Sequence, residues 1–298
     1  MIAKNRMVGL GPVLLGVLVA LSSCGGSDSP SGPLRILVTN DDGVGAEGID
    51  LVVQALVEDS NNIVIVSAPK EETSGSADTT VAEDSPPAPE CANGTGLGDP
   101  SATASGYESD VWAVDGCPAD AVLFALENLY SDEPPHVVLS GINAGQNVGF
   151  ISETIISQIS GTVGAAKTAA CSGVPALASS QGSAPAGGEI DYESGLQEVL
   201  RWLEDNRSAL LAGDVPRDTI TSINIPSCAP GTSIRGRVEV PLGTETPDFL
   251  ECQALPIAEQ DCESTLEDPQ DDLEAFFSGF VAITPVPSNS SRTCDGLN

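Results

Sequence analysis

The chain has 298 residues and carries 11 Lys+Arg against 43 Asp+Glu, for a formal net charge of −32. Nothing in so acidic a chain replaces the counterions of a nucleic-acid polymer, and anionic lipid headgroups repel it, so charge-driven binding to either is excluded. With 41% hydrophobic residues it has material for a large core, and its length suits one large α/β domain or two small ones.

Lys4 and Arg6 precede an apolar run over residues 7–21, too short to span a bilayer comfortably and followed by small residues. Leu21-Ser22-Ser23-Cys24-Gly25 resembles a bacterial lipobox, which implies cleavage before Cys24 and acylation of that cysteine. The expected organisation is a lipoprotein signal peptide over 1–23, a flexible Gly/Ser/Pro tether over 24–33 and a folded domain over 34–298. The expected location is the bacterial cell envelope, lipid-anchored at Cys24 and facing the periplasm or another extracytoplasmic space, with the lipid as the only contact to the membrane. The remaining cysteines are Cys91, Cys117, Cys171, Cys228, Cys252, Cys262 and Cys294, a set that suits an oxidising compartment. Their odd number leaves at least one free or paired between chains. Cys117 and Cys171 sit in apolar elements and are expected as buried thiols, while Cys252–Cys262 and Cys228–Cys294 are candidate bridges.

Residues 34–39 (LRILVT) form a β-rich run ending in Asn40-Asp41-Asp42-Gly43. Ile49, Val52, Val53 and Leu56 give residues 47–58 helical spacing, and 63–67 (IVIVS) is a second apolar strand, stopped by Ala68-Pro69. This strand–helix–strand order predicts a parallel sheet with helices on both faces and ligands at the carboxyl ends of its strands. Residues 78–110, rich in Ser, Pro, Gly, Ala and acid, read as an irregular insertion with a weak hairpin, pinned by Cys91. Regular structure resumes with a strand at 111–114 and a helix over 118–130 with Pro118 in its first turn. A strand at 137–139 leads into the polar loop 140–149. A helix of small residues over 161–171, a strand at 175–179, a helix over 192–211 and a strand at 219–225 complete the pattern. Residues 231–298 are a weaker C-terminal extension, and the seven acids within 261–274 read as a solvated acidic loop without an EF-hand pattern.

Three loops that follow apolar strands are loaded with oxygen donors. Asp41 and Asp42 are adjacent carboxylates just past a buried strand, with no basic residue nearby in sequence except Arg35 at the strand's far end. A hard divalent cation is the economical partner for such a pair. Ser74-Gly75-Ser76 puts hydroxyls beside a glycine, and Asn143 offers a neutral carbonyl oxygen at a strand tip. A fourth segment, Ser160-Gly161-Thr162, opens a helix with unpaired N–H groups and two hydroxyls, the arrangement that cradles a phosphate. Read singly, each has a plainer explanation as a helix cap or polar turn.

Taken together, the segments LRILVTNDDGVGAEGI (34–49), Ala68-Pro69 with Ser74-Gly75, Gly116-Cys117-Pro118-Ala119-Asp120, SGINAGQN (140–147) and SGTVGAA (160–166) resemble, in order, the SurE family of survival-protein acid phosphatases and 5′/3′-nucleotidases. TSINIP (221–226) and FVAITP (280–285) are similar to its later signatures. The resemblance implies a three-layer Rossmann-like α/β fold with a mostly parallel central sheet. It also implies one divalent metal ion per subunit, Mg²⁺ or Mn²⁺, held by Asp41, Asp42, Ser74 and Asn143, and homodimers or homotetramers. On that reading Asp41 and Asp42 are catalytic, and Gly75, Asn147, Ser160, Gly161 and Thr162 bind the phosphate of a nucleoside monophosphate or similar phosphomonoester. The lone His136 precedes its strand at the wrong end to serve a nucleophilic serine. Two other readings compete. A receiver-like phosphoacceptor would want an Asp where Asn143 stands. A non-catalytic nucleotide-binding or structural envelope lipoprotein would retain the fold alone, and Glu71 and Glu72 beside Ser74 favour it.

Overall fold

In the computed structural model the described residues are 32–82, 90–130, 133–149, 159–186, 188–243, 260–288 and 294. Strand β1 (Leu34–Thr39) is apolar on both faces because it runs between β2 (Asn62–Pro69) and β5 (Val137–Ala144), parallel to each. Beyond β2 lie β4 (Val111–Val114), parallel, and β3 (Gly98–Pro100), antiparallel. Beyond β5 lie β6 (Ala176–Gln181) and β7 (Thr219–Ile225), both parallel; then come β9 (Phe280–Pro287), antiparallel to β7, and β8 (Gly236–Glu239) at the edge. The order is β3-β4-β2-β1-β5-β6-β7-β9-β8, so the expected mostly parallel α/β sheet is found.

The period-two alternation of β1 sorts its side chains between two cores. Ile36 and Val38 pack with Val52, Val53 and Leu56 of α1 (Glu47–Glu58) and with Val199, Trp202 and Leu203 of α4 (Tyr192–Ala212). Leu37 packs on the other face with Val122 and Ala125 of α2 (Pro118–Asn128) and with Val163, Ala166 and Ala170 of α3 (Gly161–Cys171). Two helical layers thus sandwich the sheet. A smaller cluster of Val240, Ala275, Phe276, Phe280 and Ala282 seats the C-terminal extension, including α5 (Asp272–Phe277).

Several expectations change. Strand β5 does not stop at Leu139: Asn143 and Ala144 still pair with Ser180 and Gln181 of β6, because ladder bonds come from the backbone and need no apolar side chains. In place of a weak hairpin within 78–110, the segment contributes the short strand β3, which pairs antiparallel with β4 just beyond it. Cys117 and Cys171 are not free thiols. The bridges are Cys91–Cys117, Cys171–Cys294 and Cys228–Cys262. The expected pair Cys228–Cys294 is therefore excluded, and so is Cys252–Cys262, although Cys252 itself lies outside the described residues. Nor is every acid of 261–274 solvated. Asp272 is buried, accepting the N–H groups of Gly149 (2.9 Å) and Gly243 (2.7 Å), and so ties the extension to the loop after β5.

Candidate functional site

Chain connections leave β1 in one direction toward β2, while its other neighbour, β5, begins a separate run toward β7. The carboxyl ends of β1 and β5 therefore flank the crevice where open α/β sheets bind ligands. Thr39 lies opposite Ser140 in the register, so Asp41 and Asp42 emerge beside the Ser140–Ala144 segment. Asp42 accepts the N–H of Ala144 at 3.2 Å, which holds its carboxylate next to Asn143. Asn143 is itself fixed, its Nδ2 donating to the Gly145 carbonyl at 2.6 Å.

Asp41 is the hub. Its backbone carbonyl accepts the N–H of Thr73 (2.7 Å) and the hydroxyl of Thr73 (3.1 Å), pinning the Ser74 loop against the first motif. The Val44 N–H reaches back to the Pro69 carbonyl at 2.8 Å, and Asn40 Nδ2 donates to the Gly43 carbonyl at 2.9 Å to shape the turn. Gly43 (φ +96°) brings this turn so close that a Cβ would stand 3.1 Å from the Glu71 carbonyl carbon. The Asp41 side chain points at α3. Its Oδ1 accepts the Thr162 hydroxyl at 2.6 Å, and the Thr162 N–H adds a second bond to the carboxylate.

The residues expected on phosphate divide accordingly. Thr162 is fully buried and its hydroxyl proton is committed to Asp41, so in this structure it holds a carboxylate rather than facing an open phosphate site. Ser160 caps α3 by accepting the Val163 N–H at 3.1 Å, and Gly161 lies flush against Asp41. Asn147 donates its backbone N–H to Asn224 Oδ1 (2.7 Å) and its Nδ2 to Ser180 Oγ (2.8 Å), tying the loop to β7 and β6. Ser74 and Gly75 are exposed on the rim. The Ser74 N–H donates to Glu72 Oε1 at 2.6 Å, and Gly75 supplies the φ of +81° that the turn needs. Beside them a cleft of about 170 Å³ is lined by Lys70, Glu71, Glu72, Cys91 and Asp115. A larger groove of about 630 Å³ between Trp202, Arg237 and Ile283 contains none of the expected site residues.

The electrostatics fit a cation. Among the described residues no ion pair involves Asp41 or Asp42. Burial raises the Asp41 carboxyl above its ordinary range despite the Thr162 bonds. Burial, with the Asp41 charge beside it, pushes Asp42 up to about 6. Two desolvated carboxylates at one strand end, with Asn143 next to the Ala144 that Asp42 grips and the Ser74 loop bonded to the Asp41 backbone, are oxygen donors of the kind that suits a hard divalent ion. Sequence reasoning missed Tyr192, buried at the start of α4. Burial and the nearby Asp42 and Glu47 charges hold its phenol up at about 12, so it remains a proton donor at the edge of the site. Its lone position at a helix start carried no pattern that could have revealed it.

A pH dependence follows. An acid whose pKa rises on folding keeps a proton that the unfolded chain has lost, so this pair's contribution favours the metal-free fold at low pH and fades as pH climbs from about 4 through about 6. A bound divalent ion reverses the sign, because it takes the ionised pair. The difference in Tm between Mn²⁺ and EDTA is expected to be near zero at about pH 4.5 and to reach its plateau above about pH 7. Scanning fluorimetry across that range checks it, and a pH-independent difference would contradict the assignment.

Comparison with known proteins places the chain among relatives. The family model described as "Survival protein SurE" matches residues 36–245. The "5′-nucleotidase SurE" of Parvibaculum lavamentivorans is 30% identical over 276 residues, covering 89% of this chain and 90% of the relative. That of Carboxydothermus hydrogenoformans is 36% identical over 217 residues, covering 70% and 71%. The crystal structure of the Sure protein from Aquifex aeolicus superposes with a TM-score of 0.60 at 22% identity, covering 85% of this chain and 93% of that one.

Proposed function

The chain belongs to the survival protein SurE family, and from that membership we propose that it is a divalent-metal-dependent phosphomonoesterase, a nucleotidase releasing phosphate from nucleoside monophosphates. The observation that carries this reading is the adjacent pair of buried Asp41 and half-buried Asp42, without a basic partner among the described residues, at the crevice between β1 and β5.

When bound, Mg²⁺ or Mn²⁺ supplies Lewis acidity and a water of lowered pKa. Asp41 and Asp42 would hold the ion, with Ser74 and Asn143 as neutral donors that keep the site's charge low enough for a dianion to enter. Thr162 orients Asp41 through its hydroxyl and N–H, at the same helix start that Ser160 caps, and so would fix the carboxylate that holds the ion. Asp42, the less buried of the two carboxylates, would also accept the proton that the attacking water gives up. Gly75, Asn147, Ser160 and Gly161 would bind phosphoryl oxygens on this reading, which the family resemblance supports. Export as a lipoprotein anchored at Cys24 and assembly into homodimers or homotetramers belong to the same proposal, supported by the lipobox-like segment and the family resemblance.

A second reading, a nucleotide-binding envelope lipoprotein without turnover, is favoured by Glu71 and Glu72, whose charges beside the Ser74 loop repel a phosphate. Phosphate release from AMP and from p-nitrophenyl phosphate, measured with Mn²⁺, with Mg²⁺ and with EDTA, separates the two. Metal-dependent turnover is the expected result. Binding of AMP without turnover under any of these conditions would establish the second reading instead.

A further inference from the structure

Ser76, grouped with Ser74 in the sequence but given no role of its own, is only 1% exposed, and its hydroxyl has no hydrogen-bond partner among the described residues. A buried hydroxyl left unmatched is a net cost to the fold, so one retained beside a functional centre calls for an explanation. Its surroundings supply one. The loop bearing Ser76 lies along the small-residue face of α3, where a Cβ on Gly161 would stand 2.7 Å from Ser76 Oγ, 2.8 Å from Asp41 Cβ and 3.0 Å from Asp41 Oδ2. The missing side chain of Gly161 thus opens one niche that the Ser76 hydroxyl and the Asp41 carboxylate share. Within that carboxylate, Oδ1 is engaged by the Thr162 hydroxyl, while Oδ2 borders the niche, 3.0 Å from the same Cβ position.

We propose that Ser76 is a positioning residue of the metal centre, its hydroxyl donating to Asp41 Oδ2 when the ion is bound. This rests on the metal-centre reading above and adds to it a residue acting through Asp41. With Thr162 on one oxygen and Ser76 on the other, both oxygens of the ionised carboxylate would be held by hydroxyls, and the bond that Ser76 lacks without the ion would be gained on binding. In the metal-free chain the hydroxyl goes unmatched, which makes Ser76 a small liability to the fold and an asset to the site.

The test measures Mn²⁺ affinity by calorimetry and Tm in EDTA for the full chain, for Ser76→Ala and for Asp42→Asn. Ser76→Ala is expected to weaken Mn²⁺ binding about tenfold, the effect of one hydrogen bond to a charged group, while its Tm in EDTA stays level or rises. Mn²⁺ affinity within about twofold of the parent would overturn the proposal, as would a fall in affinity matched by a fall in Tm, which marks a packing role. Should Asp42→Asn bind Mn²⁺ as tightly as the parent, the metal centre itself is misassigned, whatever Ser76 does.

Discussion

Replacing Asp42 by Asn is expected to lower metal-dependent phosphate release by about 10³-fold or more while making the metal-free protein more stable. The first effect follows because a bound ion supplies several kcal/mol of transition-state stabilisation, and about 1.4 kcal/mol is tenfold in rate. Asn keeps the shape and a neutral oxygen but loses the charge that holds the ion. The second effect follows because Asp41 and Asp42 are like charges, with no ion-pair partner among the described residues, and burial already forces both pKa values upward. Removing one charge relieves that repulsion. Opposite movements of activity and of Tm in EDTA are the signature of a site that burdens its own fold. An Asp42→Asn protein that keeps its turnover to within about tenfold would remove the metal from the mechanism.

Gly164→Ala is expected to damage the site from a distance. Gly164 sits one turn into α3, and a Cβ there would run into the carbonyl oxygen of Ala77 and crowd the Asp78 nitrogen. Those are backbone atoms, so no side-chain rotation can give way; the helix and the 76–78 segment must separate. Overpacking of this kind typically costs about 1–3 kcal/mol. Here it also moves the two parts that meet at Asp41, namely the first turn of α3 and the loop carrying Ser74. The expected result is a Tm lower by several degrees and Mn²⁺ affinity reduced at least about tenfold. Gly75→Ala is the contrasting case, since a Cβ at that exposed glycine meets nothing and only its φ of +81° resists, a cost of about 1 kcal/mol. Equal losses in the two variants would show that close packing of the loop on α3 is not what holds the site together.

These effects explain which parts of the molecule could be read in the amino-acid order. Helix α3 and strands β1 and β7 fall at the bounds read from the amino-acid order, β1 as a continuous apolar run, β7 as an alternating one and α3 as a run of small residues buried on all sides. The end of β5 extends past the apolar run because Ser140, Asn143 and Ala144 are polar or small yet stay in the ladder with β6. Asp272 looked solvated among its acidic neighbours, and only the tertiary approach of Gly149 and Gly243 supplies the donors that let it be buried. The pairings of the cysteines were equally hidden, since each joins segments brought together by the sheet rather than by spacing. In the site, the residue types were legible as oxygen donors, but the division of labour was not. That Thr162 serves Asp41, and that Ser76 lies in the same niche, depends on how closely glycine lets α3 approach.

The three bridges carry a consequence for how the chain withstands cutting. Cys228–Cys262 spans 34 residues of the C-terminal extension, and Cys171–Cys294 encloses β6, α4, β7, β8, α5 and β9 in a loop of 123. A protease that severs the backbone anywhere between residues 229 and 261 therefore releases nothing: both stumps stay covalently joined through two separate links, and β9 remains seated against β7 on the far side of the break. Nicked molecules would retain the sheet beneath the β1–β5 crevice and fall into separate pieces only after both links are reduced.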